Sequence, residues 1–160
     1  MTKKKHGAFV FAALCVLWTA VIFGFSLKSG ETSSSESYAV AGLLSWIMGR
    51  LSVTVPPSVH VVRKLAHFFE YFVLGGLAYA TFHSAGARRG CSLSFGYAVL
   101  VALADEFICQ NISEGRGACL SDVLLDSAGA LLGVFCAAVL AYFIFWNRKR
   151  KKGNKISKNA

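Results

Sequence analysis

Charge is scarce in this chain. Only 16% of its 160 residues are charged while 55% are hydrophobic, too few polar side chains to solvate a globular surface of ordinary composition, and the length leaves room for one domain. Several site signatures are missing as well. The five cysteines, Cys15, Cys91, Cys109, Cys119 and Cys136, show no C-x-x-C spacing, which excludes zinc fingers; only Cys109 and Cys119 fall near enough to one face for a disulfide to close a loop. There is no H-E-x-x-H pair, no repeat and no low-complexity domain, and nothing indicates an organic cofactor. No A-x-A cleavage site follows the first apolar run, and its 21 uncharged residues exceed a usual signal-peptide core, so it reads as a retained helix.

What the sequence does contain is apolar residues gathered into blocks. Four of them, at about 7–27, 63–82, 92–109 and 123–146, are each long enough at about 1.5 Å per residue to cross a hydrocarbon layer of roughly 30 Å. The second block carries His67 and Glu70 and the third ends in Asp105 and Glu106, so a soluble core helix competes for those two. Their neighbours are apolar on all sides, which a soluble domain would not supply. The expected fold is therefore all-α, a polytopic bundle of four transmembrane helices.

The net charge of +9 points to topology rather than to nucleic acid. With the amino terminus inside, the inside segments hold Lys3, Lys4, Lys5, Arg88, Arg89 and seven basic residues from Arg148 to Lys158. Lys28, Arg50, Arg63, Lys64 and Arg116 fall outside, a split of 12 to 5, and no acidic residue lies in an inside segment. The chain thus divides into a basic cytoplasmic amino terminus (1–6), a membrane domain (7–146) and a basic cytoplasmic tail (147–160). The tail reads as a stop-transfer flank resting on anionic headgroups.

Between the first two spans, the serine-rich LKSGETSSSES precedes Val40, Leu43, Leu44, Ile47, Met48 and Leu51 at helical spacing. This predicts a short external amphipathic helix, with Ser35 or Ser37 as its cap and Trp46 at the membrane interface. It serves as a connector, with a lid over the bundle as the rival role. In the fourth span, Gly129 and Gly133 form a G-x-x-x-G pair that admits a close helix neighbour, internal or in a second copy; Gly75 and Gly76 can do the same in the second.

The charges inside the bundle converge. In the second span Arg63, His67 and Glu70 share one face, with Lys64 and Tyr71 on a neighbouring one. The third runs the other way and brings Asp105, Glu106 and Gln110 to the same outer end. The fourth re-enters with Asp122 and Asp126 one turn apart, after a loop carrying Arg116. A charge near the centre of a membrane helix costs roughly 2.5 to 3.5 kcal/mol, so five carboxylates at one level face inward and toward one another. The catalytic candidates are His67, Glu70, Asp105, Glu106 and Asp122. The same five are the candidate donors for a divalent metal, which the His-plus-carboxylate chemistry fits. Lys64 and Arg116 suit a phosphate or carboxylate from a lipid-linked or other anionic envelope component. Proton or cation binding is a second use of this set, and a hydrogen-bond network that only fixes helix register is a third.

These residues resemble the VanZ-like family of bacterial membrane proteins. The likeness rests on RKLAHFFEYFVLG, ADEFICQ and GRGACLSDVLLDSAGALLG in that order, with FGFSLKSGETSSSES after the first span, and covers nearly the whole chain. The resemblance implies a polar set at Lys64, His67, Glu70, Tyr71, Asp105, Glu106, Gln110, Arg116 and Asp122, of which Tyr71 and Gln110 join the basic pair as substrate-binding positions. Asp126 stands where an asparagine is frequent in the family. It also implies a place in the bacterial cell membrane and an association with low-level resistance to the glycopeptide teicoplanin.

Overall fold

A computed structural model of the chain describes residues 2–27, 58–109 and 119–157, together with Tyr38, Val40, Gly42, Ser45, Trp46 and Arg50 of the first connector. Four helices carry the fold: α1 (Thr2–Ser26), α2 (Val59–Ala85), α3 (Gly90–Ala104), which runs directly into a π-helical turn (Asp105–Cys109), and α4 (Leu120–Ser157). No strand occurs among the described residues.

Local chemistry sets the helix ends. Ser58 is extended, and its hydroxyl accepts the Val61 N–H at 3.3 Å, satisfying one of the amides that a helix start leaves unpaired. At the other end of α2, Gly86 is left-handed (φ 79°), and the Gly86 and Ala87 N–H groups return to the His83 and Phe82 carbonyls at 3.0 Å. These caps lie outside the apolar block, so α2 is longer at both ends than the predicted 63–82. Likewise α4 runs past the predicted 146 to Ser157. Its 38 residues make a rod of about 57 Å, well beyond a hydrocarbon core, so the basic tail continues as helix.

Three segments, His6–Ser26, Gly90–Ile108 and Leu120–Lys151, are long and apolar enough to cross a membrane. The distribution of side chains is inverted relative to a water-soluble fold. Phe9 and Phe145 are 73% and 66% exposed, while Asp105, Glu106 and Asp126 are at most 1% exposed. Such broad outward apolar surface is the signature of a lipid-facing bundle, and the chain is a multi-pass membrane protein. The helix that carries Arg63, Lys64, His67 and Glu70, α2, is also the one that packs against α1, α3 and α4. Its central place lets Arg63, Lys64, His67 and Glu70 turn to other helices instead of lipid.

The core gathers Ile22, Tyr71, Leu74, Ala78, Ala98, Ala102, Val123 and Ala130 from all four helices. Trp18 donates its indole N–H to the Glu70 carbonyl at 2.9 Å, and the Thr19 and Tyr97 hydroxyls meet at 2.8 Å, tying α1 to α2 and α3. The closest approach is between α2 and α4. A Cβ on Gly129 would overlap the Phe68 carbonyl, one on Gly133 the Phe72 carbonyl, and one on Gly75 the Ala130 carbonyl. Of the two alternatives left open for the G-x-x-x-G pair, the structure has the internal one: the Gly129 and Gly133 face is taken up by α2 of the same chain.

In the connector, Tyr38, Val40, Gly42, Ser45, Trp46 and Arg50 have helical backbone, in keeping with the expected short helix. Trp46 is exposed, with the Arg50 guanidinium 5.1 Å from its ring centroid. The predicted caps Ser35 and Ser37 and the apolar positions Leu43, Leu44, Ile47, Met48 and Leu51 lie outside the described residues.

Candidate functional site

Helix direction brings the polar groups together. The amino-terminal turns of α2 and α4 and the carboxyl-terminal end of α3 meet at one end of the bundle, so Lys64, His67, Asp105, Asp122 and Asp126 come to a common level. The π-helical turn contributes to this. On a regular helix, adjacent residues point about 100° apart, yet Asp105 and Glu106 are both fully buried where the turn widens. Single π-helical turns recur at functional sites because they re-aim side chains in this way.

Two groupings result. At the mouth, the Lys64 ammonium donates to Asp122 Oδ1 at 2.5 Å, and Ser121 donates to the same oxygen at 3.2 Å. The lysine and aspartate side chains are 33% and 23% exposed, so this ion pair belongs to a partly wetted rim where such contacts stabilise weakly. Deeper in, a ring nitrogen of His67 and one carboxylate oxygen each from Asp105 and Asp126 lie within 4.8 Å of one another. Asp126 is 1% exposed, and neither of its oxygens has a hydrogen-bond partner among the described residues. Glu70 approaches His67 from the next turn, Oε2 to Nδ1 at 3.7 Å. Tyr71 is completely buried beneath them.

A small open pocket joins the two groupings, lined by Arg63, Lys64, His67, Asp122, Leu125 and Asp126. Its rim is basic and its floor is a histidine and a carboxylate. That polarity suits an anionic oxygen at the mouth, and general acid/base or cation chemistry below.

The candidates therefore separate. Glu106 accepts the Cys119 N–H at 2.8 Å and so anchors the start of α4. Asp126, which was not among the catalytic or metal candidates, lies on the pocket floor. Its position one turn below Asp122, within a membrane helix, was the signal that could have included it. Gln110 and Arg116 lie outside the described residues. Cys119 carries a free thiol. The Ser121 hydroxyl, 3.0 Å from its sulfur, holds that thiol below its ordinary pKa.

A model of the VanZ/LLP1 family matches residues 10–146. The chain belongs to the VanZ/LLP1 family. The match runs from α1 through the apolar part of α4 and so contains the whole pocket. Among curated proteins, the chain is similar to human and mouse proteins each named "Probable G-protein coupled receptor 162". Both are 27% identical over 143 residues, which is 87% of this chain and 21% of theirs. The VanZ/LLP1 chain thus spans about a fifth of the length of those relatives. No solved structure matches it.

Proposed function

We propose that this VanZ/LLP1 protein is a four-span component of the bacterial cell envelope that binds or modifies an anionic envelope component at the outer leaflet. The observation that carries this is the pocket, with Arg63 and Lys64 at its rim and His67 and Asp126 at its floor. α2 serves as the fourth span, because its 27 residues reach about 40 Å and its charges collect in the turns that face α4. The excess of Lys and Arg at the opposite end of the bundle and in the tail keeps both termini cytoplasmic, which opens the pocket outward. An effect on teicoplanin susceptibility follows from the family resemblance.

Orientation is tested with two native cysteines that are exposed near opposite ends of the bundle, Cys119 before α4 and Cys91 at the start of α3. In single-cysteine variants of intact cells, an impermeant maleimide should label Cys119 and spare Cys91. The reverse pattern would invert the proposed orientation. Function is tested by replacing His67 with Ala, Asp126 with Asn and Lys64 with Met, then measuring membrane abundance and teicoplanin tolerance in a host that depends on the protein. Retained abundance with lost tolerance supports the pocket. Retained abundance with unchanged tolerance refutes it, and parallel loss of both favours a purely structural role.

A further inference from the structure

We propose that His67, Asp105 and Asp126 form a binding site for one divalent first-row metal ion, of the zinc or manganese class, on the floor of the pocket. This deepens the function proposed above and rests on that pocket being the working site.

Four observations carry the assignment. The first is the convergence of three donor atoms from three helices within 4.8 Å. Bonds of about 2.1 Å to a shared ion would draw such a set together by about an ångström, within reach of side-chain rotation. The second is burial: Asp105 is 0% and Asp126 is 1% exposed, and both Asp126 oxygens lack a hydrogen-bond partner among the described residues. A carboxylate enclosed in this way is stable only if something neutralises it. The third is the state of the adjacent lysine. Lys64 lies against Asp122 at 2.5 Å, so its charge is spent at the rim, above the Asp105 and Asp126 pair. The fourth is access, since His67 and Asp126 both line the pocket, so a coordination position of the ion faces the opening.

The donor set decides the class of ion. One imidazole with two carboxylates is harder than the thiolate sites that hold copper(I) or iron–sulfur clusters. It is softer than the all-oxygen sites that suit magnesium and calcium. Three protein donors leave at least one position for water or a ligand oxygen, as in catalytic rather than structural zinc sites. Arg63 and Lys64 lie at the rim of the same pocket, where they would attract a phosphate or carboxylate toward that open position. Glu70 Oε2 lies 3.7 Å from the His67 Nδ1, so a small side-chain rotation would bring it into the hydrogen bond that orients a ligating ring. The glycine contacts one turn deeper hold α4 against α2 and thereby keep Asp126 beside His67.

The test uses the full chain purified in detergent, stripped with chelator and reloaded separately with Zn²⁺ or Mn²⁺. After gel filtration, elemental analysis should find one ion per chain, and titration should give saturable binding that releases protons. His67→Ala and Asp126→Asn should each weaken binding by more than about 100-fold, the most that loss of an outer-shell partner alone produces. Thr19→Val, remote from the cluster, should bind as the parent does. Since either ligand variant could fail to fold, X-ray absorption of the zinc-loaded parent supplies a second measurement. One imidazole in an otherwise oxygen shell is expected, and a shell without imidazole overturns the site. The proposal is also overturned if the folded parent retains no metal, or if Asp126→Asn binds it unchanged. A metal-free parent whose Lys64→Met variant still loses teicoplanin tolerance would sink the metal and leave the pocket. A metal-loaded parent whose Lys64→Met and Asp126→Asn variants keep full tolerance would do the opposite.

Discussion

The contact between α2 and α4 has two halves built on opposite principles. In the deeper half, Phe68, Phe72 and Gly75 of α2 meet Gly129, Ala130 and Gly133 of α4 backbone to backbone, with no side chain between them. Lipid tails are as apolar as the protein, so close packing of small residues is what holds helices together there. In the half toward the pocket, Lys64 and His67 face Asp122 and Asp126 through long polar side chains that enclose an open space. The small-residue half brings the two backbones together and the charged half leaves the pocket between them. Asp126 and Gly129 are three residues apart on α4, so the first half positions the second.

The comparison can be broken hardest at the glycine seam. Gly133→Val would drive a branched side chain into the Phe72 carbonyl and should cost about 3 kcal/mol. Membrane abundance and pocket-dependent tolerance should fall together, as read by immunoblot and growth. A smaller effect is expected from Glu106→Ala. It removes the acceptor of the Cys119 N–H and should cost about 2 kcal/mol, measured as a lower midpoint of thermal unfolding in detergent. Lys64→Met should separate stability from function. The rim pair is partly exposed, so its loss should change stability by less than about 1 kcal/mol, while tolerance to teicoplanin drops. The least change is expected from Gly96→Ala on α3, where an added Cβ meets nothing within 4 Å. It should leave tolerance unchanged and raise stability by up to about 1 kcal/mol through helix propensity. If Gly96→Ala and Gly133→Val proved equally harmful, the tight seam would not be what positions Asp126.

Much of the fold was legible because bilayer physics writes it in composition. Runs such as 7–27 and 123–146 leave few alternatives to a spanning helix, and the structure has helices over all four predicted blocks. The depth of the polar groups was legible too. Residues three or four apart share a helix face, which put Lys64 with His67 and Asp122 with Asp126 before any packing was known. Less legible was which carboxylate meets which partner. Helical spacing brought both Glu106 and Asp126 to the right depth, and the family resemblance, with an asparagine frequent at 126, kept Asp126 off the candidate list. A π-helical turn at 105–109 changes the relation between sequence number and direction, and the start of α4 engages Glu106. Periodicity assumes a regular helix and is blind to that turn. The G-x-x-x-G pair announced a close approach without naming the partner, because the pattern records only the absence of side chains.

By itself, then, the sequence determined that this is a multi-pass helical membrane protein with its polarity gathered at one end, since hydrophobic length and four-residue spacing are local properties of the chain. Tertiary structure alone decided that α2 lies at the centre and that Gly129 and Gly133 face it. It also decided that His67, Asp105 and Asp126 converge while Glu106 holds α4. These are relations between helices, set by how closely backbones pack and by which buried charges can face one another, and no single segment encodes them.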